Sequence, residues 1–360
     1  MARELYVGVN NVARRVKKVY FGVDGIARNV KKIYVGVGGI ARQVFPQKKL
    51  EKVAQLSLSL DRSRLAAASV GNYALFGGGY NSVSRKTVDV YNSSLTQSLA
   101  SLSTEMSRLA ATSFGVWALF GGGQDTAGLS ISVVNAFSTS LTRATPTTLS
   151  TKRYDLAAAS IGNYALFGGG SSGSAVVDAY DTSLTRSIPA TLTMGRARLG
   201  ATSVGNYILF GGGNVGSTVV DAYDSSLTRS TPVVLSHDGD SLAATSVGNY
   251  ALFGGGGRNN ITPSAIVDAY DSSLTRFSPA ALSVSRGELS ATSVGNYALF
   301  GGGVIRGSGT STAVDAYDSS LTRSTLAALS MSVSLSAATS VGNYALFGGS
   351  SGIVEVYGET

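Results

Sequence analysis

The sequence has no cysteine and only one histidine, His237, among its 360 residues. Without cysteine there are no disulfides and no thiolate metal sites, and one histidine excludes a multi-histidine metal centre. No apolar run approaches the ~18 residues of a membrane-spanning helix, and Met1–Glu4 does not open a secretory signal. We therefore expect a protein that is made in the cytoplasm, does not insert into membranes and carries neither a metal nor a cofactor.

Proline is also scarce, with six residues, whereas glycine is abundant, with 45. A block close to Gly-Asn-Tyr-Ala-Leu-Phe-Gly-Gly-Gly occurs seven times, at intervals of 43 to 47 residues. Its aromatic anchors are Tyr73, Trp117, Tyr164, Tyr207, Tyr250, Tyr297 and Tyr344. A period of this length indicates a repeat architecture.

Each copy of the repeat contains four short runs that are typical of strands and are separated by Gly, Asn, Asp and Ser. In the fifth copy we predict strands over Leu242–Val247, Tyr250–Phe253, Ile266–Tyr270 and Arg276–Leu282. Small Ala and Ser residues on the first strand suit a crowded position next to a central axis. The second strand is apolar at consecutive positions, which favours a sheet packed on both faces.

The two ends of the repeat region predict how the array closes. The last copy stops after a third strand, Ile353–Tyr357, while Val53–Ser59 matches a fourth strand without a blade of its own. We therefore predict an all-β fold, with a seven-bladed β-propeller over residues 50–360 that the N-terminal strand closes. A closed ring leaves no open sheet edge between its ends.

The glycines and aromatics of the blades carry a family resemblance. A Gly-Gly pair ends the second strand and an aromatic follows in the third, as in Gly168 with Tyr180 and Gly255 with Tyr270. This pattern over residues 53–360 resembles the kelch repeat, which implies a propeller used for binding. The copies depart from that family in their fourth strand, where Leu-Thr-Arg stands in place of the usual tryptophan, and Trp117 lies in a second strand.

Residues 1–49 form a separate basic segment. Residues 1–52 hold 12 of the 29 Lys and Arg but 3 of the 21 Asp and Glu, a net charge of +9, which leaves −1 for the rest. A 14-residue unit recurs here, with Asn-Asn, Asp-Gly and Gly-Gly at positions typical of hairpin turns. We predict a head of small β-hairpins whose docking residues are Tyr6, Arg14, Tyr20, Arg28, Tyr34 and Arg42.

The Tyr-Val-Gly-Val-x-Gly-x-Ala-Arg units of this head resemble N-terminal segments of proteins from phages and prophages of Gram-positive bacteria. The recurrent aromatic and glycine positions favour a shaped surface that docks other virion proteins or another copy of the chain. The alternative is a basic segment that neutralises nucleic-acid phosphates.

The connections between strands differ in how much they vary among copies. The turns from strand one to two and from three to four are nearly uniform, whereas the other two connections vary. In an up-and-down blade the variable connections share one face, and binding residues concentrate on such loops; strict turn geometry is the alternative reason for the uniform turns. The predicted ligand-binding residues on this face are Arg62, Arg64, Tyr80, Arg85, Lys86, Arg108, Lys152, Arg153, Tyr154, Asp155, Arg196, Arg198, His237, Asp238, Arg258, Asn259, Arg286 and Arg306.

Two groups of polar residues could in principle form a catalytic or cation-binding site. His237, Asp238 and Asp240 occur together in one loop only, which favours a polar surface loop over an acid–base or cation site. The repeated acidic pairs Asp178/Asp181 and Asp221/Asp224 suggest calcium, but turn-capping aspartates explain their spacing better. We therefore predict a protein that is not an enzyme.

The sequence thus favours a virion protein of a phage or phage-like tail. The head would attach the chain to other tail proteins, and the propeller would bind a host-surface glycan or protein. A cytoplasmic kelch-type scaffold for protein–protein interactions is the alternative, and a nucleic-acid-associated structural protein is a third.

Overall fold

The chain forms small antiparallel sheets arranged as a seven-bladed β-propeller, with three short hairpins before it. The computed structural model describes residues 49–360 except 215–216, 258–262, 308, 332–333 and 335, and the backbone of six strands between residues 6 and 45. Within these residues the one helical element is a single 3-10 turn, Ser171–Gly173, and no helix is long and apolar enough to cross a membrane. The prediction of an all-β, seven-bladed fold is confirmed.

Every blade contains four main strands, which follow in sequential order in blades 1 to 6, whereas the fourth strand of blade 7 comes from before blade 1. The first strands, in blades 1 to 7, are Ala66–Val70, Ala110–Phe114, Ala157–Ile161, Gly200–Val204, Ala243–Val247, Ser290–Val294 and Ala337–Val341. The second strands are Tyr73–Gly77, Trp117–Gly121, Tyr164–Gly168, Tyr207–Gly211, Tyr250–Gly254, Tyr297–Gly301 and Tyr344–Gly348. The third strands are Val83–Asn92, Val134–Ser138, Val177–Asp181, Val220–Asp224, Val267–Tyr270, Val314–Asp318 and Ile353–Glu359. The fourth strands are Gln97–Met106, Arg143–Ala144, Arg186–Ser187, Arg229–Ser230, Arg276–Phe277, Arg323–Thr325 and, for blade 7, Leu50–Ser57.

The first strands surround a common axis. Each contacts the first strands of both neighbouring blades, and Ala337–Val341 of blade 7 contacts Ala66–Val70 of blade 1. Their Ala and Ser side chains leave room for seven strands at this crowded radius, as the sequence predicts. Blade 1 carries one additional short strand, Tyr80–Asn81, at the edge of its sheet.

The N-terminal strand closes the ring. Leu50–Ser57 lies beside Ile353–Glu359 as the fourth strand of blade 7. The amide of Leu58 donates to the carbonyl of Gly352 at 2.8 Å, and Lys52 Nζ lies 3.0 Å from the Glu355 carboxylate. The predicted closure is confirmed, so the first and last segments of the propeller share one sheet.

Stacking of phenylalanine on glycine repeats around the whole propeller. A Cβ atom on Gly211 would lie 2.7 Å from the Phe253 ring of the next blade, and one on Gly348 would lie 3.0 Å from Phe76 of blade 1. Phe253 also meets Tyr270 edge-on at 6.0 Å between ring centroids, a favoured aromatic arrangement. The glycine that ends each second strand is therefore required by the packing between blades.

The fourth strands differ from the prediction. In blade 5 the strand covers Arg276–Phe277 and not the expected Arg276–Leu282. Pro279 follows at once, and proline has no N–H to donate to a sheet. Blades 2, 3 and 4 have prolines at corresponding positions, whereas the long fourth strand of blade 1, Gln97–Met106, contains none. Proline thus accompanies the two-residue outer strand of four blades, whereas blade 6 has a strand of only three residues, Arg323–Thr325, without a proline.

The head contains three separate hairpins. Their strands are Tyr6–Val9 with Val12–Arg15, Tyr20–Val23 with Ile26–Asn29, and Ile33–Val37 with Ile40–Phe45. The registers pair Val9 with Val12, Val23 with Ile26 and Val37 with Ile40. Residues 1–50 with 359–360 form one compact unit, and residues 51–358 form a second.

Candidate ligand-binding face

The two variable connections of a blade are hydrogen-bonded to each other. Ser63 and Tyr80 exchange two backbone bonds in blade 1, and Ser107 and Gln124 do the same in blade 2. In blade 3 the amide of Ser171 donates to the carbonyl of Tyr154 at 2.7 Å. The connections between strands two and three therefore lie beside those between strands four and one. We call this end of the propeller the loop face.

The innermost residues of the loop face are linked by backbone hydrogen bonds from blade to blade. In each link the amide of one residue donates to the carbonyl of its counterpart in the preceding blade, at 2.8 to 3.1 Å. The linked residues, which we call the inner ring, are Arg64, Arg108, Asp155, Arg198, Ser241 and Glu288. All six have φ between 52° and 57°. The backbone is thus the same in six blades, while the side chain that it presents differs.

Three charged residues of the inner ring, Arg108, Asp155 and Arg198, have close partners of opposite charge. Arg108 Nη1 lies 3.3 Å from Asp155 Oδ2, and Arg198 donates to both carboxylate oxygens of Asp240, at 2.8 and 3.2 Å. Burial opposes the charge on Arg198, but the hydrogen bonds and charge of Asp240 outweigh it and raise the pKa of this guanidinium. Partial burial and the charge of Arg108 lower the pKa of Arg64.

Two tyrosines extend the ring outward. The guanidinium of Arg64 lies 5.5 Å from the centre of the Tyr80 ring, and that of Arg108 lies 5.3 Å from the centre of the Tyr154 ring. Both distances are within the range of cation–π attraction. Each pair joins an inner-ring arginine to an aromatic side chain of the same face. The positions differ, because Tyr80 follows the second strand of the blade that Arg64 leads into, whereas Tyr154 belongs to the loop that leads into the next blade after that of Arg108.

A pocket of about 190 Å³ opens on the loop face between blades 3 and 4. Its walls come from the inner ring, from Tyr154, from the 3-10 turn and from the loop of blade 4. The lining residues are Arg108, Tyr154, Asp155, Ser171, Ser172, Gly173, Ala197, Arg198 and Asn214. Four of the predicted ligand-binding residues thus meet in one cavity, together with five that were not predicted.

Four predicted ligand-binding arginines are not on the surface. Arg62, Arg153, Arg196 and Arg286 are at most 1% exposed. Each forms an ion pair of 2.7 to 2.8 Å with a fully buried aspartate of the third strand in its own blade. The prediction that these four contact a ligand is wrong, because their guanidinium groups are enclosed between strands.

Each buried carboxylate also joins two blades. Asp178 and Asp221 accept a backbone N–H from Ser150 and Thr193, which belong to the preceding blade, at 3.0 Å. The interpretation of these two aspartates as turn caps is therefore wrong. Asp181 and Asp224 do cap their turns, because each carboxylate accepts two backbone N–H groups of the following residues.

In blades 2 and 7 both members of the arginine–aspartate pair are replaced, and no unbalanced charge results. Blade 2 has Met106 against Asn135, with Nδ2 3.8 Å from the sulfur. Blade 7 has Glu355, which pairs with Lys52 of the closing strand. A substitution of the acid is thus accompanied by a substitution of its partner.

In blade 5 the third-strand aspartate, Asp268, faces His237 and not a buried arginine. The Nε2 atom of His237 lies 2.8 Å from the carbonyl oxygen of Gly255, and its Nδ1 lies 3.5 Å from Asp268. Burial opposes protonation, but the bonds to Asp268 and Gly255 and the charge of Asp268 outweigh it, and the pKa of His237 is raised. His237 therefore belongs to the interior of the blade and is not a ligand contact.

The other predicted residues remain separate from the pocket. Lys86, Lys152, Asp238 and Arg306 are exposed, and Arg85 is half-buried with Nη2 donating to the carbonyl of Asn81 at 3.0 Å. Arg258 and Asn259 lie outside the described residues, as do the side chains of the docking residues Tyr6, Arg14, Tyr20, Arg28, Tyr34 and Arg42. No group of three or more acidic or histidine side chains suited to a metal occurs in the part of the chain that is described.

A signal in the sequence distinguishes the buried arginines from the surface ones. Arginine stands at the third position of four five-residue loops, and an aspartate stands in the third strand of each of those blades. Recurrence within otherwise variable loops indicates a structural role. No such pattern marks Ser172 or Asn214, whose place in the pocket depends on how two neighbouring blades meet.

Comparison with models of known protein families gives no match for this chain, and a search of curated protein sequences gives none.

Proposed function

We propose that this protein is a receptor-binding component of a phage or phage-like tail. In this proposal the propeller binds a molecule of the host surface through its loop face, and the basic head attaches the chain to other virion proteins. The observation that carries the binding role is the inner ring with its adjoining pocket, where one repeated backbone presents different polar side chains from blade to blade.

The arrangement suits recognition better than catalysis. The lining combines arginine, tyrosine, asparagine and serine side chains, which supply hydrogen bonds and rigid contact area. Its carboxylates are held by arginines, with Asp155 beside Arg108 and Asp240 beside Arg198. Both carboxylates are thus engaged in ion pairs with arginine.

The attachment role rests on the basic hairpin repeats and their resemblance to N-terminal segments of phage proteins. The three hairpins have four to six residues per strand, and isolated hairpins are marginally stable. A partner that packs against them would stabilise them. Their aromatic and arginine positions recur every 14 residues, which would present a regular surface to such a partner.

A truncation separates the two roles. Deletion of residues 1–48 leaves the closing strand Leu50–Ser57 in place. The truncated protein, expressed with the genes that flank it, is expected to be missing from purified particles and still to adsorb to host cells. Incorporation of the truncated chain into particles would contradict the attachment role, and failure of the full-length chain to adsorb would contradict the receptor-binding role. Loss of a salt-sensitive affinity for DNA on truncation, with incorporation unchanged, would instead support the nucleic-acid alternative.

A further inference from the structure

The pocket between blades 3 and 4 has a size that limits its ligand. Its volume of about 190 Å³ is below the ~300–1,000 Å³ of sites that hold drug-sized molecules. One six-membered ring with its substituents is a suitable occupant, whereas a folded peptide segment is not. Longer ligands would place a single terminal unit in the pocket.

Charge balance further restricts the ligand. Both arginines of the lining already have a carboxylate partner, Asp155 for Arg108 and Asp240 for Arg198. An acidic ligand would have to compete with these carboxylates, and a basic ligand would compete with the arginines. A charged pair that is already satisfied gives little net attraction to another ion. The lining therefore favours an uncharged ligand.

The hydrogen-bonding groups suit hydroxyls. The pair with Asp240 uses Nε and Nη2 of Arg198, and a guanidinium has five N–H groups in all, so the side chain has more donors than this pair uses. Asn214 Oδ1 accepts the amide of Ala197 at 3.0 Å, and this bond fixes the side chain with its NH₂ group available to donate. Ser172 contributes an exposed hydroxyl, which both donates and accepts. A ligand whose own groups are both donors and acceptors can satisfy this mixture.

Tyr154 supplies the apolar part of the lining. It is half-buried, and Arg108 restricts its position through the contact with its ring. A rigid aromatic ring provides contact area at a small loss of conformational entropy. A pyranose has both hydroxyls around its edge and apolar C–H faces, so it matches a lining that joins an aromatic ring to hydroxyl partners.

We propose that this pocket binds one neutral pyranose residue of a surface glycan. The proposal rests on the binding role of the loop face and names its ligand class. The neighbouring pair Arg64 and Tyr80 has a similar arginine-to-ring distance, 5.5 Å, but lies outside the pocket, so Tyr80 provides a control on the same face of the chain.

Saturation-transfer NMR on the full-length protein tests the ligand class. The probes are the methyl glycosides of glucose, galactose and mannose, compared with methyl glucuronide and N-acetylneuraminic acid at equal concentration. At least one neutral glycoside is expected to bind, and the acidic sugars are expected to bind at least tenfold more weakly. Absence of binding by all neutral glycosides, or equal binding of the acidic sugars, would overturn the proposal.

Three variants test the location. Tyr154→Ala is expected to weaken binding of the neutral glycoside at least tenfold, and Ser172→Ala about threefold, whereas Tyr80→Ala stays within twofold of the parent. Circular-dichroism melts show whether each variant is folded, and Ser172, which is exposed, gives an answer even if Tyr154→Ala is unstable. Binding that survives both pocket substitutions would overturn the assignment.

Cell adsorption separates the two proposals. If the protein adsorbs to cells while no neutral glycoside binds, the sugar assignment fails and the receptor-binding role stands. If neutral glycosides bind in the pocket and the protein adsorbs to no cell, the receptor-binding role fails and the sugar assignment stands.

Discussion

In blade 5 the Nδ1 atom of His237 lies 3.5 Å from the carboxylate of Asp268. Blades 1, 3, 4 and 6 place an arginine against the corresponding aspartate. The loop of blade 5 has Gly239 where those loops have arginine. The imidazole that faces Asp268 belongs to His237, two residues before Gly239. One blade of the ring is therefore held by a group that titrates near neutral pH.

We predict that the contribution of this pair to stability depends on pH. The pKa of His237 is raised, so its contribution is complete below the unfolded value of about 6.5 and is lost as pH rises through the folded value. The pKa of Asp268 is lowered, since bonds from His237 and Ser236 outweigh burial. Its contribution is complete above about 3.9 and is lost on acidification. The pair therefore contributes most between about pH 4 and 6.5.

His237→Gln tests this dependence by urea denaturation at several pH values. At pH 5.5 the variant is expected to unfold with a free energy about 1.5–3 kcal/mol lower than the parent, the range for hydrogen bonds to charged groups. The difference is expected to become smaller as pH rises through the folded pKa of His237, because the imidazole then loses its charge. A difference that stays constant over this range would show that the charge of His237 contributes nothing.

A second prediction concerns the buried ion pair of blade 4. Arg196→Met leaves Asp221 without its main cationic partner, although Arg229 lies 3.2 Å away. Removal of one member of a buried pair lowers the free energy of unfolding by about 3–5 kcal/mol. The double variant Arg196→Met, Asp221→Asn reproduces the Met106 and Asn135 pair of blade 2, and it is expected to recover more than half of the loss. If denaturation curves show no recovery of stability in the double variant, a methionine–asparagine pair cannot replace the arginine–aspartate pair in blade 4.

A third prediction concerns the stacking of phenylalanine on glycine. Gly211→Ala would place a Cβ atom 2.7 Å from the Phe253 ring, and overpacking of this kind lowers stability by about 1–3 kcal/mol. Addition of Phe253→Leu to the same chain is expected to relieve the contact and to make the glycine substitution less harmful than it is alone. Thermal denaturation of the parent, the two single variants and the double variant gives the coupling energy between the two positions. Strictly additive losses of stability would contradict a direct clash.

A fourth prediction concerns closure of the ring. Deletion of residues 1–48 keeps Leu50–Ser57, whereas deletion of residues 1–57 removes the fourth strand of blade 7 and leaves Glu355 without Lys52. We expect the shorter deletion to leave the propeller with a single cooperative thermal transition. The longer deletion is expected to lower the transition temperature by at least 10 °C, since about 2–4 °C follows from each kcal/mol in a domain of this size. Equal transition temperatures would mean that the strand does not close the ring.

The blade count could be predicted from the sequence because it depends on local patterns. The six Gly-Asn-Tyr turns, the Gly-Val-Trp turn of the second copy and the alternation of apolar runs with Gly, Asn, Asp and Ser fix the strands one by one. The unpaired segments Ile353–Tyr357 and Val53–Ser59 likewise complement each other without reference to anything else in the chain. The short fourth strands were also within reach, because Pro279 and its counterparts were visible in the sequence.

The candidate site could be predicted only in part. The loop face follows from the strand order, and Arg108, Tyr154, Asp155 and Arg198 do line its pocket. Arg196 stands two residues from Arg198 and is enclosed in the blade, at 0% exposure. The two differ because Asp221, 25 residues later in the chain, accepts the first and Asp240, 42 residues later, accepts the second.

The sequence by itself therefore determined the number of blades, the order of their strands and the segment that closes them, because turn residues and apolar periodicity act over a few neighbouring positions. Only the tertiary structure decided which acceptor each arginine meets and which side chains come together in the pocket. The acceptors lie far away in the sequence, at Asp221 for Arg196 and at Asp240 for Arg198. The residues next to the two arginines do not show which acceptor each side chain will meet.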